Sequence, residues 1–587
     1  MVHERLPKWK ALAVFSSDAL SSVAYATQEI LIPLSLFSVA AMSWSIPIAL
    51  CITALLIAVS TSYWQTIRSY PNGGGAYLVV MDNLGVRPAL VTAAALLIDY
   101  VLTVSVSVAA GVEAITSAVP VLYEHRLTLG CIAIGIVTMI NLRGVRESGT
   151  VFALPTYLFI FSFVLLIGVG LFKLLTGSLQ PQATLVGTAY PALPVFLILR
   201  AFASGCAALT GIEAISNGVP AFRKPESKNA QITLLWMALI LSAFFLGITA
   251  LSHYLLIHPS ETETVISLLA RQILGDGALY YLVQLSTALI LLLAANTSFA
   301  DFPRVCSLLA KDRFLPRQLS SLGDRLVFSN GIFLLGLVSA LLLIVFQGTT
   351  HYLIPLYAIG VFLSFTMSQS GMVKHHWKLR EPGWKVSLAL NALGGVTTAV
   401  VLLVIAVTKF SHGAWVVIVL IPLLSLWFRG TREHYRKVAA QLVITDRVDL
   451  LKPLKHVVVL PISGIHRGVV DAVQYARSIA TDIRVVHVEL EEESTARVKH
   501  SWDKLNSGLE LTILKSPYRS VVQPILEYIR KVDGESGDDL LTVVIPEFVT
   551  ARWWQTLFHN QTALIIRTAL LFQRGKVVTS VRYHLSR

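Results

Sequence analysis

Acidic and hydroxyl side chains recur at helical spacing inside the first long apolar run, at residues 11–40. Asp18, Ser21 or Ser22, Tyr25 and Glu29 stand at i, i+3/4, i+7 and i+11, which draws one polar stripe on an otherwise apolar helix. An ionisable side chain inside a membrane span costs at least a few kcal/mol, so its presence points to a function. The stripe reads as one wall of a cation path. The plainer alternative is a pair of acids snorkelling near a helix end.

A second stripe lies in the third apolar run. Asp99, Thr103, Ser107 and Gly111 are spaced four apart, Glu113 follows within a turn, and Tyr100 adjoins Asp99. A carboxylate, two hydroxyls and a glycine on one face suit a hard, oxygen-liking cation. A lone Ser or Thr in a membrane helix is mostly satisfied by the carbonyl four residues back, so the weight rests on the acid and the period. The stretch 201–213 in the sixth run is like the first run: rich in small residues, with Thr210 and Glu213 answering Thr27 and Glu29. Two such segments in corresponding positions hint at an inverted repeat of two five-helix halves, with unwound backbone lining a cavity. Small residues alone would only permit close helix packing. In the eighth run Thr297 and Ser298 offer further hydroxyls, and Asp301 is expected to pair with Arg304.

Amino-acid carriers of such architecture bind a substrate carboxylate through backbone N–H groups at glycine-rich helix breaks. Here the first break has Ser21-Ser22 beside Asp18. Asp18, Asp99 and Glu213 would repel a carboxylate and attract a cation. Several buried carboxylates around one monovalent ion are not all ionised cheaply. A site for one metal cation and one proton follows, and with it a route to proton-coupled cation uptake. No H-E-x-x-H, G-x-S-x-G or T-V-G-Y-G occurs, so neither an enzyme nor a channel with a carbonyl filter is expected.

The elements that must position these residues are membrane helices. The chain is 55% hydrophobic and 14% charged, far below the usual charged quarter of a soluble protein. Apolar runs long enough to cross a roughly 30 Å hydrocarbon core recur through the first part of the chain. Twelve fit, near 11–40, 45–67, 88–119, 127–142, 151–176, 192–219, 230–257, 278–300, 331–347, 352–372, 385–409 and 412–428. With the N-terminus inside, inner loops carry sixteen Lys and Arg residues and outer loops only Arg126, Lys173, Arg271 and Lys409. That bias predicts a multi-pass protein of the cell membrane with both termini cytoplasmic. The net charge of +13 is accounted for by such loops, and no nucleic-acid partner is expected. Cys51, Cys131, Cys206 and Cys306 lack metal spacing and read as small core residues. The basic N-terminus leads into a run too long and too polar for a signal peptide, which predicts a retained first helix.

A transport domain over 1–430 is expected to give way to a cytoplasmic domain over 431–587, where charge becomes frequent. Strands are predicted at 456–461, 484–490, 509–514, 541–546 and 576–582, with helices at 469–480, 494–506, 520–531 and 555–572 between them. This alternation implies a doubly wound parallel sheet. The turn after the first strand, 461–468, sits where such folds bind ligands, but it has no P-loop and no G-x-G-x-x-G. No cofactor is expected.

The motif Leu6-Pro7-Lys8-Trp9-Lys10, followed by Ser16-Ser17-Asp18-Ala19-Leu20-Ser21-Ser22-Val23-Ala24-Tyr25-Ala26, resembles the start of the KimA-type potassium transporters. These form part of the KUP group within the amino acid–polyamine–organocation superfamily. Tyr70-Pro71-Asn72-Gly73-Gly74-Gly75-Ala76-Tyr77, the run 98–107 and the run 296–303 are similar as well. The resemblance runs the whole length, and the first motif is the specific one. It implies a LeuT-like 5+5 fold, high-affinity potassium/proton symport, a homodimer through exchanged cytoplasmic domains, and inhibition by cyclic di-AMP. Matched motif by motif, it carries over Asp18, Tyr25, Asp99, Tyr100, Thr103, Ser107 and Thr210 as cation-binding candidates, with potassium at Asp18, Thr103 and Thr210. Glu213, with Asp99, is the proton-coupling candidate. The cytoplasmic part is similar to a universal-stress-protein fold without its ATP-binding glycine loop. Candidate residues for the nucleotide regulator are Arg467, Tyr475, Arg477 and Arg519; a charged surface serving dimerisation alone accounts for them equally.

Two other functions fit parts of this pattern. A polyamine or cationic amino-acid carrier would use the same acids. A non-transporting membrane sensor would use the tail for output, but no kinase, cyclase or DNA-binding motif is present.

Overall fold

The structure, a computed structural model, describes residues 5–585 apart from 74, 145–148, 180–192, 261, 324–326, 444–454, 517–519, 537–539, 551–554, 556–560 and 574. The chain divides into two compact units, Met1–Val443 and Ile444–Arg587.

The first unit is helical. Among the described residues, eleven helices are long and apolar enough to cross a membrane. A shorter apolar helix, Ser329–Val345, stands where the ninth expected run lies. The last membrane-length helix, Ala414–Leu442, runs past the composition change at residue 431. The Val86–Ala118 helix is the central post, buried along nearly its whole length. Such a helix is sequestered from lipid, which permits its line of Asp99, Thr103 and Ser107. Gly360 on the Thr350–Leu379 helix packs directly on it: a Cβ there would lie 3.0 Å from the Ala95 carbonyl and 3.4 Å from the Asp99 Cβ. Pro120–Leu142 and Trp384–Thr408 form part of the rim, with exposed apolar side chains such as Ile132, Ile136, Val396 and Leu403.

The first expected run is three helices: Lys8–Phe15, Ser17–Ser21 and Val23–Phe37. The acid stripe is therefore interrupted. Neither glycine nor proline causes the breaks; serine does. Ser21 Oγ donates to the Asp18 carbonyl at 2.7 Å, and Ser22 Oγ donates to Ala19 O at 2.6 Å and to Ala208 O at 3.1 Å. The Ser22 N–H turns to Ala19 O at 3.3 Å, three residues back. Hydroxyls that compete for carbonyls in this way loosen the helical ladder.

The sixth run is broken more deeply. Val195–Gly205 tightens into a 3-10 turn, Cys206–Leu209; Thr210 is extended, Gly211 has φ +80°, and helix resumes at Ala214–Asn217. Only glycine adopts that φ without steric cost. The two broken runs are tied at one end. Leu6 N–H donates to Ala221 O at 2.7 Å and Arg223 N–H to Leu6 O at 3.0 Å, while Phe15 stacks on Phe222 with centroids 5.5 Å apart. This gives the Leu6-Pro7-Lys8-Trp9 motif a structural job beside the site.

The second unit is a five-stranded parallel sheet in the order β3-β2-β1-β4-β5: His456–Ile462 (β1), Asp482–Glu489 (β2), Leu511–Lys515 (β3), Leu540–Val549 (β4) and Lys576–His584 (β5). All five strands stand where alternation of β and α patterns places them, each with ends shifted by a few residues. Alternate β1 residues feed two cores: Val457 and Val459 join Ile525 and Ile529 on one face, and Val458 and Leu460 join Val469 and Trp502 on the other. Both faces are covered, as a parallel sheet requires. Pro461 lies near the end of this central strand, past Val459↔Val543 where pairing with β4 ends.

Candidate functional site

The two helix breaks meet. A Cβ on Gly211 would lie 2.7 Å from the Ala19 nitrogen and 2.8 Å from Asp18 Oδ2. The Asp18 carboxylate therefore rests on the unwound backbone of the sixth run, where only a glycine leaves room. Tyr25, seven residues after Asp18, lies beside Thr210 on the same unwound stretch, whose Oγ1 donates to Ala207 O at 3.0 Å. Asp99 on the central helix is within electrostatic reach of both Glu213 and Asp18. Thr103, one turn from Asp99, lies beside Tyr357, and that tyrosine is within electrostatic reach of Asp18, Asp99 and Tyr25. Ser107 continues the same face and is buried.

Asp18, Tyr25, Asp99, Thr103, Thr210 and Glu213 are thus brought to one buried place from three separate runs. Among the described residues, Asp18 Oδ1, Asp99 Oδ1 and Glu213 Oε2 are buried without a hydrogen-bond partner. A buried carboxylate oxygen with no donor is costly unless a cation or proton serves it. The donor set consists of carboxylates, hydroxyls and phenols. Oxygen ligands of that kind suit a hard cation and give no soft-metal chemistry; among the described residues no group of three His, Cys, Asp or Glu stands close enough to chelate a metal ion.

Tyr100 takes a different direction. Its hydroxyl accepts from Asn217 Nδ2 at 3.4 Å, and the same nitrogen donates to Asp301 Oδ2 at 3.3 Å. Asp301 therefore bonds Asn217; Arg304, the partner expected from the sequence, remains within electrostatic reach of it, but among the described residues the two make no direct ion pair. The reason is the break in the sixth run, which brings Asn217 up to the buried carboxylate. Ser21 and Ser22 are likewise committed to carbonyls, and Thr297 Oγ1 donates to Ala294 O at 2.7 Å. Glu29 is not a loose helix-end charge: it is buried and bonds His351.

Sequence reasoning missed Tyr357 and Tyr63. Tyr63, on Ser45–Ser69, feels Glu213 and Asp99. Each is a lone phenol in an apolar run, and no local period marks it. In the second unit, Arg467 opens the helix Arg467–Ile479 and Arg477 lies in its last turn, ten residues on in sequence, or about 15 Å along the axis. Arg467 lies beside Tyr583, Arg477 donates to the Ser507 carbonyl, and Tyr475 is exposed. Arg519 lies outside the described residues.

The comparisons agree with this two-part arrangement. Residues 6–427 match the amino acid permease family, and residues 454–583 match the KimA potassium transporter C-terminal domain. The potassium transporter KimA of Bacillus subtilis (strain 168) is 42% identical over 589 residues, covering 100% of this chain and 96% of the relative. With an amino acid permease domain and a KimA C-terminal domain in one chain, and full-length identity to a curated member, this chain belongs to the KimA family.

Proposed function

We propose that this protein takes up potassium together with a proton through an alternating-access permease. The observation that carries the reading is the convergence of three buried carboxylates, each with an unserved oxygen, on the meeting point of two helix breaks. Potassium is held by Asp18, Thr103 and Thr210, with Tyr25, Asp99, Tyr100 and Ser107 around it. Glu213, close to Asp99, takes the coupled proton. Two negative charges so close in low dielectric favour one proton between them once the cation leaves, which couples the two fluxes. The 42% identical relative is a potassium transporter, and that supports the choice of ion.

The membrane unit is read as twelve spans, counting Ser329–Val345, in a LeuT-like 5+5 inverted repeat with both termini cytoplasmic. The two broken runs and the Lys/Arg bias support this. The cytoplasmic unit is read as a universal-stress-protein-like domain that dimerises and takes cyclic di-AMP as an inhibitor. Its support is the parallel 3-2-1-4-5 sheet order and the resemblance of the whole chain.

Rubidium uptake into a potassium-starved strain tests the transport reading. Uptake that acidifies the lumen of proteoliposomes, without putrescine or lysine transport, is expected. Putrescine or lysine flux would favour the polyamine or amino-acid carrier, and no flux would favour a sensor. Calorimetric titration of the full-length protein with cyclic di-AMP tests the regulatory reading.

A further inference from the structure

A second polar cluster lies beyond the cation site, toward the end of the membrane unit remote from Leu6. Glu29 is one helical turn past Tyr25 and is 1% exposed. Both of its oxygens lie 3.0 Å from His351 Nδ1, at the start of the Thr350–Leu379 helix. Lys409, which caps the Trp384–Thr408 helix, is only 2% exposed; its Nζ donates to Ser204 Oγ and lies within electrostatic reach of Glu29. Ser204 belongs to Val195–Gly205, the arm of the sixth run before its break. Arg200 on that arm contacts His412 at 2.9 Å, and Glu113 of the central helix accepts from the Thr350 N–H at 3.0 Å.

The cluster therefore bolts together the arms of both broken runs and the two helices Thr350–Leu379 and Trp384–Thr408. A lysine buried in a membrane helix bundle is expensive, and packing would be served as well by methionine or leucine. What lysine adds is a tethered cation held near a carboxylate on the route to the cation site.

We propose that Glu29, His351 and Lys409 form the outer closure of the cation path, with the imidazole bonded to Glu29 and the Lys409 ammonium held nearby on Ser204 together occupying the carboxylate that an entering ion would otherwise meet. Opening requires His351 to release Glu29 and Lys409 to withdraw from beside it; the freed carboxylate then faces the entering cation. Removing either His351 or the Lys409 ammonium favours the open form and leaves Glu29 available. Removing the charge of Glu29 leaves Lys409 and Arg200 as uncompensated positive charge at the mouth. The two changes thus have opposite signs. The inference rests on the transport reading above.

The test is the dependence of rubidium uptake on external concentration, with membrane abundance measured in parallel. For Lys409→Met the KM is expected to fall by about threefold or more, because the competent state is more populated. For Glu29→Gln it is expected to rise by about threefold or more through repulsion at the mouth. The double variant is expected to return toward the wild type. His351→Gln, at the half-exposed end of the cluster and so least disruptive to folding, is expected to lower KM as Lys409→Met does. Unmoved KM values in the single variants, or shifts of the same sign for Glu29→Gln and Lys409→Met, overturn the proposal while wild-type uptake stands. Absence of uptake in the wild type overturns the transport reading, and the closure with it.

Discussion

Gly211 and Asp18 touch across 193 positions of sequence: a Cβ at Gly211 would sit 2.8 Å from the Asp18 carboxylate. Gly211 also has φ +80°, a conformation that costs an L-residue about 1–2 kcal/mol. The contact joins two unwound stretches at the point where the acid lies.

Gly211→Ala is expected to reduce rubidium uptake about tenfold or more while the protein still reaches the membrane, because the added methyl displaces Asp18 without opening the bundle. Uptake and membrane abundance measured on the same cells check this. Wild-type uptake would remove Asp18 from the site.

Asp18→Asn and Asp99→Asn each remove one charge from a set in which one oxygen of each carboxylate has no hydrogen-bond partner among the described residues. The KM for rubidium is expected to rise about tenfold or more, equivalent to about 1.4 kcal/mol or more of lost cation binding. Concentration series of rubidium uptake measure it. The same change at Glu113, which accepts from the Thr350 backbone at 3.0 Å, is expected to have a smaller effect.

Glu213→Gln keeps the shape of the side chain and removes its proton chemistry. Rubidium movement down its own gradient is expected to persist, and luminal acidification during uptake is expected to vanish. A pH-sensitive dye trapped in proteoliposomes reports the second. Unchanged acidification would move the coupled proton elsewhere, with Asp99 the next candidate.

Trp502 is buried in the cytoplasmic unit and donates its indole N–H to Leu509 O at 3.0 Å. Trp502→Ala is expected to cost about 3–5 kcal/mol of that unit's stability. Hydrogen exchange of the β1, β2 and β4 amides in the full-length protein measures the loss. The Val86–Ala118 helix should be unaffected, since it belongs to the other compact unit.

Much of this was written locally in the chain. The apolar runs announce the membrane helices, because hydrophobic length is a local property. Asp18, Asp99 and Glu213 announce themselves because a charge in such a run is costly wherever the run goes. The strands β1 to β5 follow from alternating apolar segments and intervening amphipathic helices. What periodicity cannot report is whether a polar group is already satisfied. Ser21 and Ser22 lie on the stripe, yet their hydroxyls are spent on carbonyls; Glu29 lies on it too, yet binds His351. Tyr63 and Tyr357 carry no local sign at all. Tertiary structure decided these matters, because each depends on contacts between residues far apart in sequence. The same holds for the opening contact: Asp18 was conspicuous from its surroundings alone, but only the fold could set it on Gly211.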